Sequence, residues 1–587
     1  MKLIVVLMWF CTCVQASDIS KSVFGSVRDG MPAAFGDFNS DELTDVFVLR
    51  NNRRTVEVLL AAEEEPLLRP SSLHCNFTQT VTSVVPGDFD GDAFMDILVT
   101  TAKGDADATS VHIIWGGLDH VNCSDESHPV LVMHGQPLAL DYNQDMIIDL
   151  FGVSVSGNRT IWEFSNDRTI PPTEHVMYPP ESHQQQPVRD PHSHAYLDLN
   201  ADYTADLFIT GKDEFEVWYG VEDSGFVYNR SIQLPADVTY VGQSLFIDVQ
   251  LVGRMDLVQA VCYDTACTKS AILVWTGGVW HNLQVNFKDN DNSLWRFIKP
   301  DVHAGLYRDT ITMRSGDFNL DGYPDLLVTL TKDSSSSGSD VPHAYLLENV
   351  PCTSGCGNFS RTYTIRWTAL APLSNGTRMA VFYDFFQDGI LDVIVVQENG
   401  TGAFKNSLDY DANFIKVMVL TGLTNQRSPT VVGRLGKKKR TYGTNLPGPR
   451  ISYNTTTQEG DTRHGASAQL PQSGHFALGL PYTIFGLGRT PNFVDSLTVG
   501  LSNRSRDWTQ IIPNSQMVVI PWPIKEPTGW RAQLFVTPSK LILMSVAALT
   551  AVCGVITVII AALYWRERQQ DKKERLQQSH RFHFDAM

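Results

Sequence analysis

The chain has 587 residues, of which 43% are hydrophobic and 19% charged, and its formal net charge is −18. This length exceeds one ordinary core, so more than one domain is expected, and the composition excludes a disordered or collagen-like protein. The excess of negative charge argues against a nucleic-acid partner.

Residues 1–16 have the pattern of a cleaved secretory signal. Lys2 precedes an apolar run over 3–13, and the small or permissive residues Val14 and Ala16 lie just before Ser17. The alternative is a buried first strand. If the segment is a signal, the mature chain begins at Ser17 and folds in an oxidising compartment.

An acidic nine-residue segment recurs seven times between residues 17 and 425, starting at Asp37, Asp88, Asp141, Asp198, Asp248, Asp317 and Asp384. Each segment ends in Asp and precedes a β-rich run, and the starts are 51, 53, 57, 50, 69 and 67 residues apart. These intervals match one four-stranded propeller blade with variable loops. We therefore predict an all-β fold in which 17–425 forms a seven-bladed β-propeller.

The acidic segments have the ligand spacing of calcium loops, with oxygen-bearing side chains at positions 1, 3, 5 and 9. Five keep all four oxygens and are the predicted Ca²⁺ sites: Asp37, Asn39, Asp41, Asp45; Asp88, Asp90, Asp92, Asp96; Asp141, Asn143, Asp145, Asp149; Asp198, Asn200, Asp202, Asp206; and Asp317, Asn319, Asp321, Asp325. The alternative is that these side chains cap the turns through backbone amides without an ion.

Two loops depart from this pattern. The Asp248 loop has Gln250 and Val252 at positions 3 and 5, and the Asp384 loop has Phe386 at position 3. We expect the first to be empty and regard the second as a poor site. Among the five predicted sites only the Asp317 loop has glycine at position 6, so the turns at Glu42, Ala93, Met146 and Tyr203 are expected to suit a metal less well.

Six cysteines lie outside the signal and the apolar C-terminal segment. Closeness in sequence suggests Cys262 with Cys267 and Cys352 with Cys356, which leaves Cys75 with Cys123, although six cysteines allow fifteen pairings. A zinc site is the alternative, but no histidine has suitable spacing. Nine sequons predict a glycosylated exterior, with acceptors Asn76, Asn122, Asn158, Asn229, Asn358, Asn375, Asn399, Asn454 and Asn503.

Beyond the repeats, residues 426–538 are predicted to form a membrane-proximal β domain. Its basic run at 437–440 is either a solvated turn or, alternatively, a weak processing site or a contact for anionic glycans. A β-sandwich follows over 451–530. Residues 541–565 are uncharged and, at about 37 Å as a helix, long enough to span a bilayer. The basic tail, 566–587, is then cytoplasmic, which predicts type I topology at the plasma membrane.

The loops resemble the FG-GAP calcium repeats of integrin α-subunits, with Phe35-Gly36 before the first loop and Gly-Asp at Gly87 and Gly316. The whole layout resembles the T-cell immunomodulatory protein (Linkin) family, and the segment FGLGRTPNFVDSLTVG resembles that family's C-terminal module. The resemblance implies a seven-bladed propeller, calcium in several loops, and a cell-surface glycoprotein linked to adhesion, tissue integrity and T-cell modulation. It also implies a shed form, with RuvB-like ATPases and tubulin as cytosolic partners.

The leading functional hypothesis is a non-enzymatic adhesion or ligand-binding receptor for an extracellular protein ligand or counter-receptor. One alternative is a shed soluble ligand, released near Arg440 or within 521–538. The other is an extracellular hydrolase, against which neither HExxH nor GxSxG occurs in the sequence. His183, His192 and His194 lie among Gln and Pro and are interpreted as an exposed loop rather than a metal site.

Overall fold

The structure is a computed structural model that describes residues 16–582. It leaves out 103–107, 118–119, 124–125, 223–224, 302–307, 334–340, 357–358, 371–375, 399, 408–411, 425–430, 433–437, 440–441, 458–459, 472–477, 490–492 and 537–539. Apart from Ala16, the predicted signal lies outside these residues. The chain divides into two compact units, Met1–Phe535 and Val536–Met587.

The first unit begins with the repeated strands. After β1 (Ser17–Asp18) and the short helix α1 (Ser20–Phe24), they follow in chain order: β2–β5 (Met31–Gly36, Asp45–Arg50, Thr55–Ala61, Leu68–Asn76); β6–β9 (Val81–Gly87, Asp96–Ala102, Ala108–Gly116, Val121–Asn122); β10–β13 (Leu131–Leu140, Asp149–Ser154, Arg159–Glu163, Thr173–Val176); β14–β17 (Ala195–Leu197, Asp206–Thr210, Glu214–Val221, Gly225–Gln233); β18–β21 (Tyr240–Ile247, Asp256–Cys262, Ser270–Thr276, Val279–Asn282); β22–β26 (Trp295–Phe297, Met313–Gly316, Asp325–Lys332, Pro342–Pro351, Arg361–Arg366); and β27–β29 (Thr377–Tyr383, Asp392–Gln397, Gly400–Lys405).

Within each group, each strand pairs antiparallel with the next along the chain, except that β22 and β23 both pair with β24. Strands β8 and β10 join two groups into one eight-stranded sheet. Strands such as β3 (DVFVLR) are buried along their whole length because both faces are covered by neighbouring structure. The chain start completes the last sheet, since β1 pairs with β29. Phe35 and Tyr383, whose ring centroids are 5.5 Å apart, pack the first sheet against the last. This closure suits a propeller, and the count of seven blades stays a prediction.

The second β domain contains β30 (Asn413–Val419), the short strands β31 (Val431–Val432) and β32 (Lys438–Lys439), β33 (Arg450–Thr456), β34 (Thr462–Ala468), β35 (Thr483–Gly488), β36 (Val494–Leu501), β37 (Arg504–Ile511), β38 (Ser515–Ile520), the 3-10 helix η1 (Pro527–Gly529) and β39 (Arg531–Val536). Two four-stranded sheets, β35-β30-β38-β39 and β34-β33-β36-β37, enclose a core that includes Ile415, Val417, Tyr453 and Trp530. The predicted β-sandwich is confirmed.

The boundary between the two β domains is not at 425, where the sequence analysis put it. Strand β30 pairs in parallel with β38, with Ile415 opposite Ser515, and antiparallel with β35. It therefore belongs to the sandwich. A short apolar run predicts a strand but does not show which domain the strand belongs to. Only its pairing with a strand about 100 residues away assigns it to the sandwich.

The second unit contains the helix α2 (Lys540–Phe582). Its segment Met544–Ser579 is long and apolar enough to cross a membrane. The predicted span, 541–565, lies within the helix, which continues into the predicted tail, 566–587.

Candidate functional site

All seven acidic loops form the same hydrogen-bonded turn. In the Asp317 loop, Oδ1 accepts the N–H of Asp321 at 3.1 Å and Oδ2 accepts that of Gly322 at 2.8 Å. The bond from position 6 to position 1 recurs in every loop: Glu42 to Asp37 (2.9 Å), Ala93 to Asp88 (2.9 Å), Met146 to Asp141 (3.2 Å), Tyr203 to Asp198 (3.0 Å), Gly253 to Asp248 (2.7 Å) and Gly389 to Asp384 (3.2 Å). The first Asp thus organises the loop backbone.

The last Asp of each loop connects the loop to the strands around it. Asp325 accepts the N–H of Phe318 at 3.1 Å on Oδ2 and the N–H of Asn349, in β25, at 2.8 Å on Oδ1. The same two bonds form at Asp45, Asp96, Asp149, Asp206 and Asp392. Asp256 differs, because its buried Oδ2 has no hydrogen-bond partner among the described residues.

Glycine at position 6 is not needed for this turn. Glu42, Ala93, Met146 and Tyr203 have φ between 70° and 72°, the left-handed conformation that Gly322 also adopts. The four turns thus form without glycine, and the expectation that they suit a metal less well stays a prediction. Hydrogen bonds from the position-6 N–H to the first Asp offset a left-handed conformation that costs roughly 1–2 kcal/mol in a non-glycine residue.

The loops concentrate negative charge in buried positions. Burial and the carboxylate of Asp321 raise the pKa of Asp317 to about 8, and burial and Asp145 raise the pKa of Asp141 to about 7. Burial also raises the pKa of Asp45 well above its usual range. A cation among these oxygens would stabilise the ionised carboxylates.

The Asp141 and Asp317 loops fit a hard cation by their donor sets, which are carboxylate and amide oxygens. Within the described part of the chain, no Lys or Arg forms an ion pair with the loop carboxylates of either site. Burial raises the pKa of Asp321, and the nearby charge of Arg361 opposes that rise. The position-3 asparagines donate to position 5, as Asn319 Nδ2 does to Asp321 Oδ2 at 3.3 Å. Their amide oxygens face the loop, where they accept a backbone N–H.

The Asp88 loop, which among the five predicted sites has Asp at all four ligand positions, has a counter-ion from the protein. Carboxylate oxygens of Asp88, Asp90 and Asp92 lie within 4.8 Å of one another. Arg168 forms ion pairs with Asp90 and, at 2.9 Å, with Asp92, and its guanidinium lies 4.5 Å from the ring centroid of Trp115. The positive charge of Arg168 would compete with a metal ion at this loop. Nothing in the local sequence predicts this ion pair.

The second β domain contacts several of the same loops. Arg450 lies 3.4 Å from Asp198 Oδ2 and donates to the carbonyl of Gly253 at 2.6 Å. Gly486 donates its N–H to Asp317 Oδ2 at 3.0 Å, and Arg463 donates to the carbonyl of Asp321 at 3.0 Å. These loops therefore form a domain interface rather than an open binding surface.

Close approach of the two backbones explains a glycine at this interface. A Cβ on Gly486 would lie 2.0 Å from Asp317 Oδ2 and 2.5 Å from the carbonyl carbon of Leu320. Gly488 donates its N–H to the Leu320 carbonyl at 2.8 Å. Strand β35 is thus hydrogen-bonded directly to the Asp317 loop.

His183 is largely buried, with 14% of its side chain exposed, so the exposed-loop interpretation was wrong. Its Nε2 lies 3.4 Å from Glu214 Oε1 and 3.5 Å from Glu216 Oε1. Arg159 pairs with both oxygens of Glu216, at 2.5 and 2.7 Å. Because Arg159 neutralises one of the two carboxylates, this cluster is poorly suited to a divalent cation. The alternating glutamates in EFEVWYG were the available signal for it.

His192 and His194 are also buried, and their rings stack with centroids 3.9 Å apart. Both line a cavity of about 220 Å³, together with Gln243 and Arg314. The histidines are hydrogen-bonded within the fold, His192 Nε2 to the carbonyl of Gln136 at 2.7 Å. Packing accounts for both side chains.

The six predicted disulfide cysteines pair in the structure as Cys75–Cys123, Cys262–Cys267 and Cys352–Cys356. Five sequon asparagines, Asn76, Asn122, Asn158, Asn229 and Asn503, are exposed. Asn454 is half-buried and donates to Ser496 Oγ at 3.0 Å, which makes it the least accessible acceptor among those described. Asn358, Asn375 and Asn399 lie outside the described residues, as do Lys437 and Arg440 of the basic run.

The repeated loops and the sandwich define the class of this chain as an FG-GAP repeat protein with a C-terminal C2-type domain. An FG-GAP-like repeat model matches residues 18–99, and the ITFG1 C2-domain model matches 441–535. The T-cell immunomodulatory protein of Mus musculus is 38% identical over 97% of this chain and 94% of its own length, and that of Homo sapiens is 37% identical over the same shares. The chain belongs to the T-cell immunomodulatory protein family.

Protein linkin of Caenorhabditis elegans is 28% identical over the full length of both chains. The name T-cell immunomodulatory protein describes immunomodulation rather than catalysis, which favours a non-enzymatic protein. Among solved structures, BBS1N in complex with ARL6DN is similar with a TM-score of 0.34 and 9% identity, over 68% of this chain and 97% of that one.

Proposed function

We propose that this chain is a type I cell-surface glycoprotein that acts as a calcium-stabilised adhesion or ligand-binding receptor and modulates T cells. Similarity to T-cell immunomodulatory proteins over 97% of the chain carries this proposal, because it includes the repeats, the sandwich and the apolar helix alike. By the family resemblance, RuvB-like ATPases and tubulin are the proposed cytosolic partners of the tail.

Calcium enters the proposal through two loops whose carboxylates form no ion pair with Lys or Arg in the described structure. Asp141, Asp145 and Asp149 would hold one ion, and Asp317, Asp321 and Asp325, with the nearby asparagine amides, would hold another. The ion would supply positive charge that stiffens each loop and its strands. Its role in ligand binding would then be indirect.

The partner surface is proposed to lie at the strand ends opposite the acidic loops. Those loops join the first and second strands of each repeat, and several of them contact the second β domain. In an antiparallel sheet, the hairpins between second and third strands lie at the other end. The first of these, 51–54, contains the exposed residues Asn51, Asn52 and Arg54.

The test is saturable binding of glycosylated residues 17–538 to leukocytes and epithelial cells, in calcium and in chelator. Arg54→Thr creates a sequon at Asn52 and should block binding with a glycan on the proposed face. Asp507→Asn is the matched control, because it creates a sequon on an exposed position of β37 in the second domain. Equal loss with both glycans, or no saturable binding by folded protein, would refute the receptor proposal.

A further inference from the structure

A lysine from the second β domain lies inside the last acidic loop of the repeats. Along β30, Ile415 and Val417 point into the sandwich core, so Lys416 between them points the other way. Its side chain is 2% exposed. The ammonium Nζ lies 3.3 Å from Asp384 Oδ2 and 2.7 Å from Gln387 Oε1, and 3.8 Å from the ring centroid of Tyr482.

The same loop lacks an oxygen ligand at position 3, where the side chain is partly exposed to solvent. Phe386 replaces the oxygen-bearing residue at position 3 and is 36% exposed. Lys405 Nζ lies 4.0 Å from its ring centroid. The loop therefore lacks one of the four oxygen-bearing side chains that the complete loops have, and the ammonium already contacts two of its remaining side-chain oxygens. The residues present do not fit calcium at this loop.

The Asp384 loop and strand β30 pack closely enough to keep Lys416 beside Asp384. A Cβ on Gly389, at position 6, would lie 2.2 Å from the ring of Phe414, the residue two before Lys416 on the same face of β30. Asp384 is fully buried and also accepts the N–H groups of Asp388 and Gly389, both at 3.2 Å. Lys416 is thus held against a preformed carboxylate by packing on both sides.

We propose that Lys416 is a built-in cation that takes the place of calcium in the Asp384 loop and holds the second β domain on the repeats. Arg450 makes the related contact with the Asp198 loop from β33. This inference goes beyond the proposed function, because it concerns how the two domains are joined and which loops bind calcium.

The first test is the number of calcium ions bound by the full chain in detergent, measured by equilibrium dialysis with radioactive calcium. Asp384→Asn is expected to leave that number unchanged, whereas Asp317→Asn should lower it by one. A loss of one ion in Asp384→Asn would overturn the proposal.

The second test is limited proteolysis between the two β domains in chelator, which does not depend on any calcium site. Lys416→Met should speed cleavage at least tenfold, and Asp384→Asn should do the same without altering the lysine. Lys405→Met is the matched control, since that lysine contacts the same loop from the solvent side, and it should cleave as wild type does. Wild-type rates in both Lys416→Met and Asp384→Asn would overturn the proposal.

These outcomes separate this inference from the proposed function. If wild type binds no calcium but Lys416→Met opens the interface, the calcium part of the proposed function fails and the lysine contact stands. If Lys416→Met does not fold, Asp384→Asn tests the same contact with the lysine in place.

Discussion

Replacing Asp317 with asparagine tests whether its loop has a metal role in addition to a structural one. The carboxylate accepts three backbone N–H groups, from Asp321 at 3.1 Å, Gly322 at 2.8 Å and Gly486 at 3.0 Å. The amide side chain of the variant would keep one oxygen acceptor, so at least one buried donor loses its partner, at about 1–3 kcal/mol. We therefore expect Asp317→Asn to destabilise the protein in chelator by roughly 2 kcal/mol, the middle of that range.

Calcium should increase the difference in stability between the wild type and Asp317→Asn. An ion present at a hundred times its dissociation constant stabilises the fold by about 2.7 kcal/mol per site, and Asp317→Asn should forfeit that increment. Asp248→Asn is the control, because Asp248 accepts two loop N–H groups at 2.9 and 2.7 Å while Gln250 and Val252 replace the acidic ligands. It should lose comparable stability in chelator and keep the full calcium increment.

The assay is chemical unfolding of residues 17–538, followed by tryptophan fluorescence in calcium and in chelator. Midpoints are compared within each buffer, since two domains need not unfold in one step. If Asp248→Asn and Asp317→Asn lose the same calcium-dependent increment, or if Asp317→Asn loses none, the assignment of calcium to the Asp317 loop is refuted.

Two further predictions concern other buried charges. Because the folded-state pKa values of Asp141, about 7, and Asp317, about 8, lie above their ordinary value of 3.8, the calcium-free fold binds extra protons. Relative to a D141N/D317N variant, the free energy of unfolding of the calcium-free wild type should therefore fall as pH rises from about 4 to about 8, and calcium should reverse that fall. Denaturant titrations measure this difference, and parallel pH profiles for the wild type and the variant would contradict it. Arg159→Met should cost about 3–5 kcal/mol, because it leaves the buried Glu216 carboxylate without its guanidinium partner, and adding Glu216→Gln should restore part of the loss. Equal unfolding midpoints for the single and double variants would count against the ion pair as the cause.

The acidic loops were predictable because their information is local. Each turn is built from an Asp, the N–H groups within five residues of it, and a second Asp eight residues on, so the repeat is visible as a spacing. The sequence also placed the apolar helix and suggested the cysteine pairs, since both depend on composition or on nearness along the chain.

The basic residues that form ion pairs with the acidic loops were not predictable from local sequence. Arg168 is 78 residues from Asp90, and Arg450 is 252 residues from Asp198. A basic residue at such separations has no periodic or spacing signal. For the same reason β30 was assigned to the wrong domain, and the burial of His183 against Glu214 and Glu216 was missed.

The sequence by itself therefore determined that the chain is a repeated β protein with acidic loops, a second β domain and one apolar helix, because short-range spacing and composition encode these features. Only the tertiary structure decided which loops receive a cation from the protein itself. Charge neutralisation depends on distance in space, and Lys416 reaches Asp384 only because β30 pairs inside the sandwich and turns its alternate face toward the repeats.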